Sequence, residues 1–191
     1  TRNIVQKIYL QNEPKVSSRV LSQKPYGFRT NFTNFEQKGE VKIYTKKVTE
    51  GYRYVDRNAI IKNIDSIDKW KVVTSRSTSV PEEDNGQVLR MSQTFIVEPN
   101  AVVTESYVVI DTFNTKEEAE NCYSYVKTKL YRLLCQATIV SPDVSARTFE
   151  LVPIQDFNES WTDEKLYKKY GLTEEEIAFI DSIIRPMEIS E

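Results

Sequence analysis

Basic and aromatic side chains alternate near the start of the chain, in a pattern that suits contact with phosphates and bases. Arg29 stands among Tyr26, Phe28 and Phe32, and further cations follow at Lys42, Lys46, Lys47, Arg53 and Arg57. Lys and Arg neutralise phosphates, while Arg, Ser and Asn side chains can form hydrogen bonds with base edges. This pattern predicts a nucleic-acid contact in this part of the chain.

A run of hydroxyl groups around one arginine, at residues 74–79 (TSRSTS), adds a loop that is dense in hydrogen-bonding groups. We expect this loop to leave the end of a strand, from which its side chains could reach the major groove. Our candidates for DNA contact are Arg29, Arg53, Lys71, Ser75, Arg76 and Ser77, with Lys127, Lys129 and Arg132 on a predicted helix as phosphate contacts.

The formal net charge of −2 conceals a strong division along the chain. Residues 1–80 hold 16 Lys and Arg against 7 Asp and Glu, a balance of +9. Residues 81–191 hold 10 Lys and Arg against 21 Asp and Glu, a balance of −11. Such asymmetry predicts one surface that meets a polyanion, although folding could also mix the two charges into an ordinary solvated surface.

The 191 residues contain no His. This excludes Ser-His-Asp and Cys-His catalysis and any His-ligated metal from the chain itself. Two cysteines, Cys122 and Cys135, are too few for a disulfide framework and favour a reducing, cytoplasmic compartment. Both lie on an apolar helical stripe, so we expect them to be core residues.

The sequence argues against two enzymatic functions, those of a nuclease and of a methyltransferase. Asp143 and the sequence Asp163-Glu164-Lys165 have the spacing of a metal-dependent nuclease motif, but Asp163 falls in the first turn of a predicted helix, where acids favour the helix dipole. The chain also lacks the Gly-rich turn and the Asn/Asp-Pro-Pro-aromatic sequence that a methyltransferase needs. We therefore expect no catalytic residue, no metal site and no cofactor in this chain.

Hydrophobic alternation at 41–48 and strand-favouring composition at 70–75 are the signals for the strands that must hold these polar groups. They are expected at 41–48, 52–55, 70–75, 94–98 and 106–111, with an irregular segment at 1–40, a loop at 80–86 and a turn at Pro99-Asn100. No run approaches 18 apolar residues, so the sequence predicts no membrane span.

Helices are predicted only in the second half of the chain. Thr115-Lys116-Glu117-Glu118 is a capping box, and the apolar stripe behind it predicts one long helix over 115–135. Further caps at Thr162 and Thr173 and the glycine at Gly171 predict helices in an acidic tail. The expected fold is α+β: a mixed, mostly antiparallel sheet and one long packing helix in a body of residues 1–154, with a helical C-terminal tail of residues 155–191 packed on it.

Several segments, in order, resemble the C-terminal region of bacterial restriction-modification adenine DNA methyltransferases, especially fused type IIG-like enzymes. Together they cover most of residues 24–187. They are KPYGFRTNF at 24–32, DKWKVV at 68–73, TESYVVI at 104–110, FNTKEEAEN at 113–121, SYVKTKLYR at 124–132, and the segment from Val152-Pro153 that ends in WTDEKLYKKYGLTEEEI at 161–177. The stretch at 161–177 is the most specific of these.

The resemblance implies that the chain is the target-recognition part of such an enzyme and follows its catalytic domain. The parent enzyme would transfer a methyl group from S-adenosylmethionine to adenine N6, with base flipping in the catalytic domain, and would use Mg²⁺ if a nuclease domain is fused. The start of the chain at Thr1, without Met, is read as that of an excised domain. The implied partners are double-stranded DNA and the parent's catalytic domain.

One alternative remains open at this point. The aromatic and basic half could dock onto an acidic partner or onto the catalytic domain, as a protein-interaction module that makes no direct DNA readout. The salt dependence of DNA binding distinguishes the two functions.

Overall fold

The computed structural model describes residues 1–36, 38–46, 52–77, 83–84, 87–88, 93–139 and 143–187. The helices are α1 (Arg2–Tyr9), α2 (Lys116–Lys127), α3 (Lys129–Thr138), α4 (Asp163–Tyr170) and α5 (Glu174–Ile183). The strands are β1 (Val41–Tyr44), β2 (Tyr52–Val55), β3 (Trp70–Ser75), β4 (Glu83–Asp84), β5 (Gln87–Val88), β6 (Thr94–Val97), β7 (Ala101–Val103) and β8 (Tyr107–Phe113). The predicted α+β class is confirmed.

The described strands form two three-stranded sheets and a small β4-β5 hairpin, where we predicted one sheet. One sheet has the order β6-β3-β8 and is antiparallel throughout. The other has the order β2-β1-β7, in which β1 pairs antiparallel with β2 and parallel with β7. The predicted turn at Pro99-Asn100 separates the sheets, because it carries the chain from β6 in one sheet to β7 in the other.

The β6-β3-β8 sheet is the middle layer of the molecule. In β3, Val72 packs into a core that the helices share, whereas its neighbour Val73 packs into a second core against the β2-β1-β7 sheet. Successive side chains of a strand point to opposite faces, so β3 is covered on both sides. Its C-terminal end at Ser75 is therefore where polar groups can leave the core.

The predicted long helix is two helices that meet at Thr128. This residue ends α2 in an extended conformation (φ −64°, ψ 148°), and its hydroxyl accepts from Tyr131 N at the start of α3. The predicted caps at Thr115, Thr162 and Thr173 are confirmed, as is the left-handed Gly171 (φ 59°) after α4.

The N-terminal helix α1 lies where we predicted irregular chain. Its residues Ile4 and Ile8 are buried in the same core as Leu166 of α4 and Ile180 of α5. Lys7 also pairs with Glu176 at 2.6 Å. The helical C-terminal segment and the start of the chain therefore pack together on the body.

Several sequence-based predictions fall outside the described residues. They concern Lys47, Val48, Thr78, Ser79, Pro142 and, apart from the β4 backbone, the loop at 80–86. Among the residues that are described, no helix combines the length and the hydropathy needed to cross a bilayer.

Candidate functional site

The backbone at the end of β3 is held between two other segments of the chain. Arg76 N donates to Ser106 O at 2.8 Å, and Arg76 O accepts from Val144 N at 2.7 Å. Ser77 then forms an antiparallel bridge with Asp143. The predicted recognition residues Arg76 and Ser77 thus leave the sheet in a defined orientation.

A cleft of about 380 Å³ opens beside these two residues. Thr30 enters it from the aromatic and basic segment, Lys46 from the residues after β1, and Ser106 from the turn before β8. Polar side chains line it: Gln23, Thr30, Lys46, Arg76, Ser77, Glu105, Ser106 and Asp143. Because these residues are far apart in sequence, the pairing of the strands assembles the cleft.

Two cations, Lys46 and Arg76, line the cleft together with two carboxylates, Glu105 and Asp143. Lys46 Nζ donates to Ser75 Oγ, and that hydroxyl donates in turn to Ser77 O at 3.0 Å. With the Gln23 amide oriented so that its oxygen faces the guanidinium, Gln23 Oε1 accepts from Arg76 Nη1 at 2.9 Å. In the part of the chain that the structure describes, neither Lys46 nor Arg76 forms an ion pair. An incoming anion can therefore use both charges.

The Glu105 carboxylate serves to position its neighbours. Its Oε1 accepts from Thr30 N at 3.2 Å, and its Oε2 lies 4.0 Å from Lys24 Nζ. Ser106 Oγ donates to Thr30 Oγ1 at 3.0 Å, which adds a second link to the same residue. These contacts place the Thr30 hydroxyl in the cleft, so cations, hydroxyls and an amide face one space.

Two other predicted residues lie on the surface near this end of the molecule. Arg29 is exposed and immediately precedes Thr30. Arg53 is exposed on the edge strand β2, where it pairs in register with Ile43. Both side chains can meet solvent or a polyanion.

Lys71 and Arg132 were wrongly predicted as surface contacts, since both side chains are completely buried. Lys71 Nζ donates to Ile67 O at 2.9 Å and Lys69 O at 2.6 Å, and burial lowers its pKa to about 7. Arg132 Nη1 donates to Arg185 O at 2.6 Å, and burial lowers its pKa to about 10. These cations hold backbone carbonyls inside the fold and are not presented to a ligand.

The remaining predicted contacts are also engaged within the protein. Ser75 is buried and holds Lys46, so it positions the cleft without reaching into it. Lys127 Nζ lies 4.6 Å from the centre of the Tyr123 ring on α2. Lys129 Nζ pairs with Asp181 Oδ1 at 2.6 Å. Neither lysine is among the residues that line the cleft.

The acidic residues with nuclease-like spacing have separate roles in the fold. Asp143 lines the cleft, whereas the Asp163 carboxylate accepts from Lys129 N at 3.0 Å and Leu130 N at 3.1 Å. Asp163 therefore caps α3 from the neighbouring helix α4. Among the described residues, no three His, Cys, Asp or Glu side chains are grouped so that they could hold a metal ion.

Both cysteines are buried and free, as we predicted. Burial raises the pKa of the Cys122 thiol well above its usual value. A thiol kept protonated in this way is a poor nucleophile, so the cysteines belong to the core.

Comparison with known proteins found no matching family model, no matching curated protein and no matching solved structure. The resemblance to methyltransferase target-recognition regions accordingly rests on the sequence segments alone. The function has to be argued from the cleft itself.

Sequence reasoning missed four of the residues that line the cleft: Gln23, Thr30, Glu105 and Ser106. It noted Lys46 only as one cation in a series. The sequence analysis placed Ser106 at the start of a strand, but its position beside Arg76 depends on the register that pairs Ser75 with Tyr107. That register cannot be read from local pattern.

Proposed function

We propose that this protein binds double-stranded DNA through the cleft at the end of β3 and reads base sequence there. The observation that carries the proposal is the pair Lys46 and Arg76, which face one polar cleft and form no ion pair among the described residues. Arg is the residue that most often reads guanine, through a bidentate contact, and hydroxyls can bond to either bases or phosphates. Arg76 is the base-reading candidate, and the exposed Arg29 and Arg53 are phosphate candidates.

The finer proposal comes from the sequence resemblance. As the target-recognition part of a cytoplasmic adenine DNA methyltransferase, the protein would select the site that another domain methylates with S-adenosylmethionine. Expression of the complete parent protein in a host without adenine methylation, followed by mapping of N6-methyladenine, tests this. One recurring methylated sequence supports it, and unmodified DNA contradicts it.

The salt dependence of binding tests DNA contact directly. Binding of a labelled duplex is measured at several salt concentrations, after the preferred sequence has been selected from a random pool. Each neutralised phosphate contributes about −0.9 to the slope of log K against log salt concentration. A slope near zero would contradict the proposal and favour the protein-interaction alternative.

Variants at two arginines separate sequence readout from phosphate contact. Arg76→Ala should lower affinity for the preferred sequence by about 1–3 kcal/mol and relax the preference at one position, because the base contact is lost. Arg53→Ala should weaken binding to all DNA sequences alike and make the slope of log K against log salt concentration shallower by about 1. Arg2→Ala, which removes an exposed arginine on α1, is the matched control and should leave binding unchanged. An Arg76→Ala protein with intact affinity and preference would show that this cleft does not read DNA.

A further inference from the structure

A row of five aromatic rings runs from the edge strand β2 across β1 to β6 and β8. The rings are Tyr54, Tyr52, Tyr44, Phe95 and Tyr107. In that order, successive ring centroids lie 5.8, 6.0, 5.8 and 5.4 Å apart. Tyr52 is 37% exposed and the other four are half-buried, so the whole row keeps contact with solvent.

The row ends beside the cleft. Tyr107 pairs in register with Ser75, the residue whose hydroxyl accepts from Lys46 Nζ. The aromatic row therefore adjoins the cleft that Lys46 and Arg76 line, although the sequence distributes the rings over four strands.

One carboxylate fixes the middle of the row. Tyr44 Oη donates to Glu98 Oε2 at 2.7 Å, and Lys42 Nζ donates to Glu98 Oε1 at 2.8 Å. The Lys42 ammonium also lies 4.6 Å from the centre of the Tyr52 ring. These contacts hold the rings in place before any ligand arrives, which lowers the entropy lost on binding.

Cations accompany the rings along the same face. Lys42, Tyr44 and Lys46 occupy alternate positions on β1 and just beyond it, and alternate residues of a strand share a face. Lys42 therefore shares a face with Tyr44 and is paired with Glu98, and Lys46 follows just beyond the strand. A partner that combines flat rings with negative charge fits the rings and Lys46 better than an apolar peptide does.

We propose that the row stacks the bases of an unpaired DNA strand, next to the duplex that the cleft binds. Stacking on aromatic side chains needs the open π-face of a base, and in a duplex those faces are covered by neighbouring base pairs. Lys46, which forms no ion pair among the described residues, neutralises a phosphate of the same strand. The inference rests on the proposed function, because the strand must be part of DNA held at the cleft.

Three labelled DNA molecules of one sequence test it: a matched duplex, the duplex with a central unpaired bubble, and the single strand. The bubble should bind more tightly than the matched duplex. Tyr52→Ala should weaken binding of the bubble by about 5- to 150-fold, as expected for the loss of one stacked base, and should leave the matched duplex unchanged. Tyr52→Phe keeps the ring and should bind the bubble as the unaltered protein does.

Tyr9→Ala provides the matched control, since Tyr9 is 68% exposed on α1 in the helical part of the molecule. It should leave all three affinities unchanged. Equal affinity for bubble and matched duplex, or an equal loss on both with Tyr52→Ala, would overturn the stacking inference and leave the proposed function standing. If none of the three DNA molecules binds, both proposals fail.

Discussion

The sheet end beside the cleft and the helical side of this protein engage their cations in opposite ways. At the end of β3, Arg76 and Lys46 face a cleft, and in the described chain neither has a carboxylate as ion-pair partner. On α3, Lys129 pairs with Asp181, and Arg132 is buried against backbone carbonyls. The charge of the sheet end is available for binding, whereas that of the helical side is used in folding.

This difference follows from how the two regions are packed. The helices are covered by the acidic C-terminal segment, which supplies Asp163 and Asp181 to the start of α3. Among the described residues that line the cleft, the carboxylates are Asp143 and Glu105, and Glu105 already accepts from Thr30 N. Changes to helical cations should therefore alter stability, and changes to sheet-end cations should alter binding.

The largest effect is expected at Arg132. Arg132→Ala should lower the free energy of unfolding by about 2–5 kcal/mol, because it leaves a cavity in the core and removes the donors to Arg185 O and Thr128 O. Urea denaturation followed by circular dichroism measures this. DNA affinity of the folded protein should not change.

Arg132→Met separates charge from packing. It keeps most of the buried volume but removes the same donors, so it should avoid the cost of the cavity and keep the cost of the lost hydrogen bonds. Stability between that of Arg132→Ala and that of the unaltered protein is expected for Arg132→Met. The contrary result is a loss of DNA affinity, in either variant, that is larger than its loss of folded protein explains. That result would contradict the assignment of binding to the sheet end and of folding to the helical side.

The buried Lys71 is expected to give the next largest effect, through pH. Its pKa is lowered to about 7 from the usual 10.5 because burial disfavours the ammonium form, although Asp68 and Glu98 partly oppose this. Between these two pH values the unfolded chain binds more protons at this residue than the folded chain does. Stability should therefore rise with pH in this window, by at most about 1.4 kcal/mol per pH unit.

Lys71→Met isolates this contribution. Denaturation curves at pH 7, 8 and 9 should show a rise in unfolding free energy for the unaltered protein and a flatter profile for the variant. The series ends at pH 9 so that tyrosines do not titrate within it. Burial raises the pKa of Tyr44 above its usual value, which keeps this phenol protonated over the whole series. Identical pH profiles for both proteins would mean that Lys71 stays charged in the fold.

Local patterns in the sequence predicted the elements whose causes are local. Strands β2 and β3 consist mainly of residues that favour strands, and the caps at Thr115 and Thr173 depend on contacts three residues apart. The break at Thr128 was missed because the apolar stripe continues through it, although Thr128 is itself a good cap. The three-residue strand β7 is too short for an alternation pattern to identify.

The candidate site could be predicted only in part, because its assembly is not local. Arg76 and Ser77 were found from their polar run, but their neighbour Ser106 arrives through the β3-β8 register, which shifts between Val72 and Val73. Lys71 shows the converse problem. Its long side chain bends back to carbonyls at residues 67 and 69, so a cation in a strand pattern does not indicate a surface position.

The smallest effect is expected at the Lys129–Asp181 pair. Asp181→Asn removes the partner of Lys129 at the partly exposed start of α3, and pairs of this kind contribute only about 0–1 kcal/mol to stability. If the helical side takes no part in binding, DNA affinity and its salt slope should stay the same even though one more cation is released. A steeper slope with tighter binding would instead show that Lys129 can contact phosphate once it is released, and would extend the binding surface from the sheet end to the helices.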